Sequence, residues 1–207
     1  MLRPARGRDL ADRCLDAFAA AHILSAMNRA AFLVVATLAA GMARAECPPS
    51  PDIAAEEDAL FEKVQAAPDA MTASEISNGL WRLWTQAPDA QAEDLLADGM
   101  SARQYADYEG ATEALDDLVA YCPDWAEGWN QRAFVRFLTA DYPGAIDDLD
   151  RALDLNPRHV GALTGKGLSL MAQGRRLAAE GVIREAARLN PWISEARLLP
   201  PDPGQDI

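Results

Sequence analysis

Three cysteines, two histidines and many carboxylates are the side chains of this 207-residue chain that could ligate a metal, attack a substrate or carry a proton. Cys14, Cys47 and Cys122 stand apart with no CxxC neighbour, and a structural metal needs several nitrogen or sulfur donors together, so no metal site is expected. His159, in the loop after Pro157, reads as a solvent-exposed spacer rather than as a ligand or base. No GxSxG occurs, which removes the usual serine-hydrolase elbow. GALTGKG, residues 161–167, lacks both the spacing and the final Ser or Thr of a phosphate-binding GxxxxGK[ST] loop. Among the carboxylates no pair is singled out, and hydrolysis by an unrecognised pair is the weakest functional reading. No catalytic residue and no cofactor is assigned.

The chemistry open to the cysteines depends on the N-terminus. Met27–Ala45, MNRAAFLVVATLAAGMARA, begins with one positive charge at Arg29, continues apolar from Ala30 to Ala40 and ends Ala-Arg-Ala. That is the layout of a cleavable secretory signal, and its apolar core is shorter than the roughly 20 residues a membrane span needs. Cleavage after Ala45 is expected, leaving no stable membrane insertion. The Arg-rich residues 1–26 read as an upstream extension, with Met27 the true start; the alternative is an uncleaved chain with an N-terminal helix. Removing the leader removes Cys14 and leaves Cys47 and Cys122 in the periplasm or outside the cell, where disulfides persist. A Cys47–Cys122 bond would pin the Pro-rich start of the mature chain against the loop at Pro123, stabilising by about 4–5 kcal/mol at most in the chain-entropy picture. Free thiols, pairing between chains, and lipid modification of Cys47 are the alternatives; Glu46 departs from the small-residue pattern of lipidation signals.

The leader carries six Arg and three Asp, so its loss takes the formal net charge from −13 to −16. Such a surface repels phosphate backbones and anionic lipid, and nucleic acid is excluded as a partner. Lys63 and Lys166 are the only lysines; Arg preference with abundant Ala points to a GC-rich bacterial coding sequence.

The elements that position these side chains follow from a period. Pro123, Pro157 and Pro191 recur at 34-residue intervals, preceded by Cys122, Asn156 and Asn190. In the same register stand Leu95, Trp129 and Leu163, then the small residues Gly99, Ala133 and Gly167, then Ala111, Ala145 and Ala179, then Leu115, Leu149 and Ile183. Trp129, Ala133, Phe134 and Phe137 share a helical stripe, as do Ile146, Leu149 and Leu153, with Asp141-Tyr-Pro-Gly144 expected as the turn between them. One helix pair cannot bury both faces, so pairs must stack. Upstream, Asp52–Ala67 and Ala73–Gln86 form a further pair, with Ser74 as a helix start and the phrases AAPDA and QAPDA each stopping one helix before Pro and offering Asp69 and Asp89 to start the next; it is expected to extend the solenoid.

The pattern resembles the tetratricopeptide repeat (TPR): Ala126–Pro157 and Val160–Pro191 match well, and Ala92–Pro123 is degenerate, with Leu118 where the others have Ala. The resemblance implies an all-α, right-handed solenoid of antiparallel helix pairs, flanked by an N-terminal pair and a short C-terminal cap. The chain divides into 1–26, the signal at 27–45, a Pro-rich segment at 46–51, the N-terminal pair at 52–91, repeats at 92–125, 126–159 and 160–193, and a cap with frayed tail at 194–207.

By the same resemblance the first helix of each pair lines a groove. Glu93, Leu96, Met100 and Arg103, then Glu127, Asn130, Phe134, Phe137 and Leu138, then Thr164, Leu168 and Met171 would face it. Asn130, Phe134, Phe137, Leu168, Met171 and Met100 are the residues expected to hold a protein or peptide partner. Arg132 and Lys166 share a slot and could clamp a peptide carboxylate, but Asp98 at the equivalent place favours a local ion pair of Arg132 with Asp147 or Asp148. The leading reading is a non-enzymatic interaction protein of the bacterial envelope. The second is a structural spacer whose groove its own termini fill. Mass analysis of exported protein without reductant is expected to find a chain beginning at Glu46 with no free thiol; two free thiols would reject the disulfide.

Overall fold

In the computed structural model, which describes residues 46–201, the 34-residue period reappears as geometry. Eight α-helices follow one another among the described residues: α1 (Ala54–Gln65), α2 (Ala70–Trp84), α3 (Ala90–Gln104), α4 (Tyr108–Tyr121), α5 (Ala126–Leu138), α6 (Tyr142–Leu155), α7 (Val160–Ala172) and α8 (Arg176–Leu189). The expected short C-terminal capping helix is a 3-10 helix, Ser194–Leu198. The extension 1–26, the signal 27–45 and tail residues 202–207 lie outside the described residues.

Helices α3–α4, α5–α6 and α7–α8 pack as pairs, and α4 packs on α5 and α6 on α7, so the pairs stack into a solenoid. The small-residue slot makes each pair close. A Cβ on Gly99 would lie 2.6 Å from Leu115 Cγ, and one on Gly167 would lie 2.5 Å from Ile183 Cγ1, so only glycine fits between those helices as they stand. Within each pair the first helix ends in the left-handed region, at Ala106 (φ 59°), Ala140 (φ 63°) and Gly174 (φ 75°). The next N–H reaches back to the helix: Asp107 to Ala102 O, Asp141 to Arg136 O and Arg175 to Leu170 O, at 2.8 to 2.9 Å.

Helix starts are set by aspartates. Asp69, Asp89, Asp107 and Asp141 accept from the N–H groups of Thr72, Ala92, Gly110 and Gly144. Two expectations change accordingly. Asp141 caps α6 and Tyr142-Pro-Gly144 is its first turn, not a loop; Ser74 lies inside α2, because Asp69 starts that helix earlier.

The N-terminal pair does not extend the solenoid. Neither α1 nor α2 packs along α3 or α4. The pair lies instead across the edge where each second helix turns into the next first helix, at Cys122–Trp125, Asn156–His159 and Asn190–Ile193. Its path follows those loops in order. Cys47 is bonded to Cys122, with Cα atoms 5.1 Å apart, and Ser50 Oγ donates to Asp124 O at 3.1 Å. On α1, Glu57 accepts from Asn156 Nδ2 at 2.9 Å and Arg158 Nη2 at 2.8 Å; Gln65 Nε2 then donates to Arg188 O and Leu189 O. On the return, Ser77 Oγ accepts from Asn190 Nδ2 at 3.0 Å and the Trp84 ring stacks on His159 with centroids 4.2 Å apart. Phe61, Val64, Ala73, Leu80 and Trp84 of this strap share an apolar core with Val160, Leu163 and Ala186 of the last repeat. That contact buries apolar faces which a further layer on α3 would leave open, and it explains the departure from simple stacking.

All three residues before the prolines therefore hold the strap. In the two Asn loops Oδ1 also accepts an N–H two residues on, from Arg158 and from Trp192, closing the turn. Cys122 offers no such oxygen and holds by a covalent bond instead.

Two outcomes follow. Glu57 is 3% exposed and accepts three hydrogen bonds, whereas Asp58, which also pairs with Arg158, is an exposed residue. Glu57→Ala is expected to cost about 3 kcal/mol in denaturant unfolding and Asp58→Ala less than about 1 kcal/mol; equal losses would show that the strap does not depend on the buried carboxylate. At the start of α3 the Tyr121 hydroxyl donates to Asp89 at 2.6 Å and, with the Ala92 N–H, holds the Asp89 carboxyl below its ordinary value of 3.8. A depressed carboxyl stabilises the fold above the ordinary value, and that contribution is lost as pH falls through the folded one. Tyr121→Phe should accordingly lower Tm at neutral pH, with the gap to the parent protein narrowing below pH 3.8, as read by circular dichroism melts.

Candidate functional site

The first helices α3, α5 and α7 approach one another while α4, α6 and α8 do not, so the first helices line the inner curve of the solenoid. Burial changes along them. At the N-terminal ends of α5 and α7, Glu127 and Val160 are buried, Val160 against the strap, while Leu96, midway along α3, is buried in the core of the first repeat. Toward the C-terminal end of α5, Phe134 is 46% and Leu138 41% exposed.

The closed end is built around a carboxylate and an imidazole. His159 is buried, not the exposed spacer the sequence suggests, and Glu127 is buried rather than open to the groove. His159 caps α7: its Nδ1 accepts the Ala162 N–H at 3.1 Å, so its proton sits on Nε2, which faces Glu127 Oε2 at 2.9 Å. Glu127 also accepts from Asn130 Nδ2 at 3.1 Å and from Gln131 Nε2, and Gln131 Oε1 in turn accepts from Arg103. A carboxylate–imidazole pair is a general-base arrangement, but here both ring nitrogens are engaged and Trp84 covers the ring, so the pair orders the fold. Among the described residues no cluster of His, Cys, Asp or Glu is arranged to hold a metal ion.

At the open end, the Arg103 guanidinium lies 4.5 Å above the Phe134 ring. Burial pulls the Arg103 pKa below its ordinary value, with the charge of Glu127 opposing. The other groove residues named from sequence are divided by the structure. Asn130 is half-buried and engaged by Glu127; Met100 packs against the core of the first repeat, Phe137 tilts against Tyr142 with centroids 5.6 Å apart, and Met171 packs on Ile146 and Leu170. Leu168 and Thr164 are half-buried, Glu93 is exposed and Leu96 is buried. Phe134, Leu138 and Arg103 thus form the accessible surface.

Arg132 and Lys166 are committed elsewhere. Arg132 grips Asp148 with two nitrogens, at 2.9 and 2.6 Å, and reaches Asp116 at 2.8 Å. Burial lowers its pKa, but the Asp148 and Asp116 contacts more than offset this and the net shift is upward. Lys166 meets Asp150 at 2.5 Å, the same contact one repeat later, and Gly167 is the small-residue slot, which accounts for GALTGKG. Arg132–Asp148 joins the two helices of one repeat, while Arg132–Asp116 and Lys166–Asp150 join a first helix to the second helix of the preceding repeat, and the cations do not form an open carboxylate clamp. Sequence reading misses Trp84, Gln131 and Arg158; their partners lie 27 to 101 residues away in no shared period, apart from the helical i,i+4 step from Glu127 to Gln131.

No protein-family model matches the chain. A TPR repeat-containing protein of Rhizobium etli is 32% identical over 117 residues, covering 56% of this chain and 57% of that protein. The chain thus spans little more than half the length of that relative. Tetratricopeptide repeat protein 36 of Bos taurus is 30% identical over 129 residues, 60% of this chain and 68% of the relative. Among solved structures, the TPR domain of Arabidopsis OM64 superposes with a TM-score of 0.51 at 19% identity, covering 52% of this chain and 86% of that domain. The first TPR of Spaghetti, bound to an HSP90 peptide, gives 0.51 at 20% identity over 52% of this chain and 86% of that one. A helix-pair period shared with a relative across two thirds of that relative's length places this chain in the tetratricopeptide repeat family.

Proposed function

We propose that the chain is a non-enzymatic interaction module that holds a peptide or helix of a partner protein against the open end of its inner face. The observation that carries this is Phe134: a ring 46% exposed on the inner curve, with a guanidinium over it and the half-exposed Leu138 one turn on. Aromatic and Arg side chains of this kind are the usual anchors of protein interfaces. The solved structures support the reading by analogy, since the Spaghetti TPR is in complex with an HSP90 peptide and the TPR2B domain of yeast Sti1 with pHsp70. Asn130, Phe137, Met100, Leu168 and Met171 contribute by shaping the floor beneath the contact.

The proposed location is the bacterial periplasm. The leader layout at 27–45 and the Cys47–Cys122 bond support it, because both suit an exported chain. A second reading, a spacer with a self-filled groove, is favoured by one observation: the strap covers the N-terminal end of α7 through Trp84 and Leu80. The two readings differ at Phe134.

Crosslinking in the intact envelope separates them. A Phe134→Ala/Leu138→Ala variant is expected to lose partner recovery by about tenfold or more, the effect of removing an interface anchor worth at least 1.4 kcal/mol. Met71→Ala, at a side chain 75% exposed on the strap, should leave recovery unchanged. Equal recovery from all three proteins would favour the spacer.

A further inference from the structure

A cavity of about 320 Å3 lies between the strap and the loop edge. Its walls are Trp84 on the strap side, Trp125 and His159 on the solenoid side, and the segment Ser50–Ala54 that leads into α1. That last wall differs from the others in how it is held. Residues 46–53 form no helix, and five of the eight, Glu46, Pro48, Pro49, Pro51 and Asp52, are exposed. Their ties to the solenoid are the Cys47–Cys122 bond, the Ser50–Asp124 hydrogen bond, and the half-buried side chains of Cys47 and Ile53. The hairpin that follows is held by Phe61, Val64, Leu80, Leu83 and Trp84, all buried, and by the three hydrogen bonds to Glu57.

We propose that the Cys47–Cys122 disulfide is a redox latch: it fixes residues 46–53 as one wall of this cavity, and its reduction releases that segment alone, opening the cavity while α1 and α2 stay docked. The unequal anchoring gives this outcome, since one hydrogen bond and two half-buried side chains remain on the segment while the hairpin keeps its whole core. The chemistry is thiol–disulfide exchange with a dithiol. A thiolate of the reductant attacks the Sγ of Cys47, the more accessible sulfur, because Cys122 is 1% exposed. The sulfur–sulfur bond breaks, and Cys122 leaves as a thiolate and takes a proton. The second thiol of the reductant then resolves the mixed disulfide, releasing Cys47 as a thiol and closing the reductant to a cyclic disulfide; two electrons and two protons reach the protein. A neutral thiol at Cys122 suits its surroundings among Leu118, Trp125 and Val135. Three prolines keep the closed segment extended, so it has few alternative ways to lie on the surface once freed.

Amide order parameters of the intact chain, measured by NMR relaxation before and after a dithiol whose action is verified by mass, test the latch. On reduction the amides of Cys47, Ser50 and Asp52 should fall below about 0.6 while those of α1 and α2 stay near 0.85. The Trp84 and Trp125 indole signals should shift, and a Cys47→Ser/Cys122→Ser variant should match the reduced protein without any dithiol. Unchanged order across 46–53 would overturn the latch. Loss of order through α1 and α2 would overturn it equally, by showing that the disulfide holds the entire strap.

Discussion

The carboxylate of Glu57 is where the repeating and non-repeating parts of this protein are joined. One oxygen accepts from the Trp84 indole, 2.7 Å away on the other helix of the strap, and from Asn156; the second accepts from Arg158. A charge buried to this degree is tolerable only with its lone pairs filled, so the three donors must be in place together. They come from α2 and from the loop before α7. Satisfying one carboxylate therefore fixes the angle between α1 and α2, the seat of both on the solenoid, and, through the stacked ring of Trp84, the position of His159.

From His159 the constraint continues inward. Its ring caps α7 on one side and meets Glu127 on the other, and Glu127 passes through Gln131 to Arg103, which rests on Phe134. Strap and open surface are linked by a row of contacts: a ring stack from Trp84 to His159, hydrogen bonds from His159 through Glu127 and Gln131 to Arg103, and a cation–π contact from Arg103 to Phe134. Networks of this kind favour one arrangement because each member left unpaired in low dielectric is costly. No buried side-chain nitrogen or oxygen among the described residues lacks a partner, which is the condition for such a network to order a core rather than loosen it.

What repeats was legible in the sequence, and what does not repeat was not. Gly99, Ala133 and Gly167 show at a 34-residue spacing where helices must touch, and the atoms of Leu115 and Ile183 lie where that reading needs them. Arg132 with Asp148 was visible because it joins neighbouring helices of one pair. Asp69 and Asp89 were visible because a helix start is local. The seat of the strap was hidden: Glu57 and Arg158 are 101 residues apart, and nothing in the period of one part registers with the other. Asn156 and Asn190 looked like loop residues with a purely local reason to precede proline. They have that reason, and a second one on the other side of the amide. His159 was misplaced for the same cause, since its burial comes from Trp84, which belongs to no repeat.

The strap also explains why the inner face is unequal. A TPR-type solenoid without it would offer the whole length of α3, α5 and α7 to solvent. Here the hairpin lies on the loop edge and packs on Val160 and Leu163 at the start of α7, while Phe134 and Leu138 stay exposed. The polar groups suited to a long groove, Glu127 and Asn130, are turned into the internal network, and the cations Arg132 and Lys166 are spent on tying neighbouring helices together. The accessible side chains that remain are an aromatic ring, one aliphatic neighbour and one guanidinium held from below. That is a short, mostly apolar contact with a single fixed charge, and its geometry is set from the far edge of the molecule by the carboxylate of Glu57.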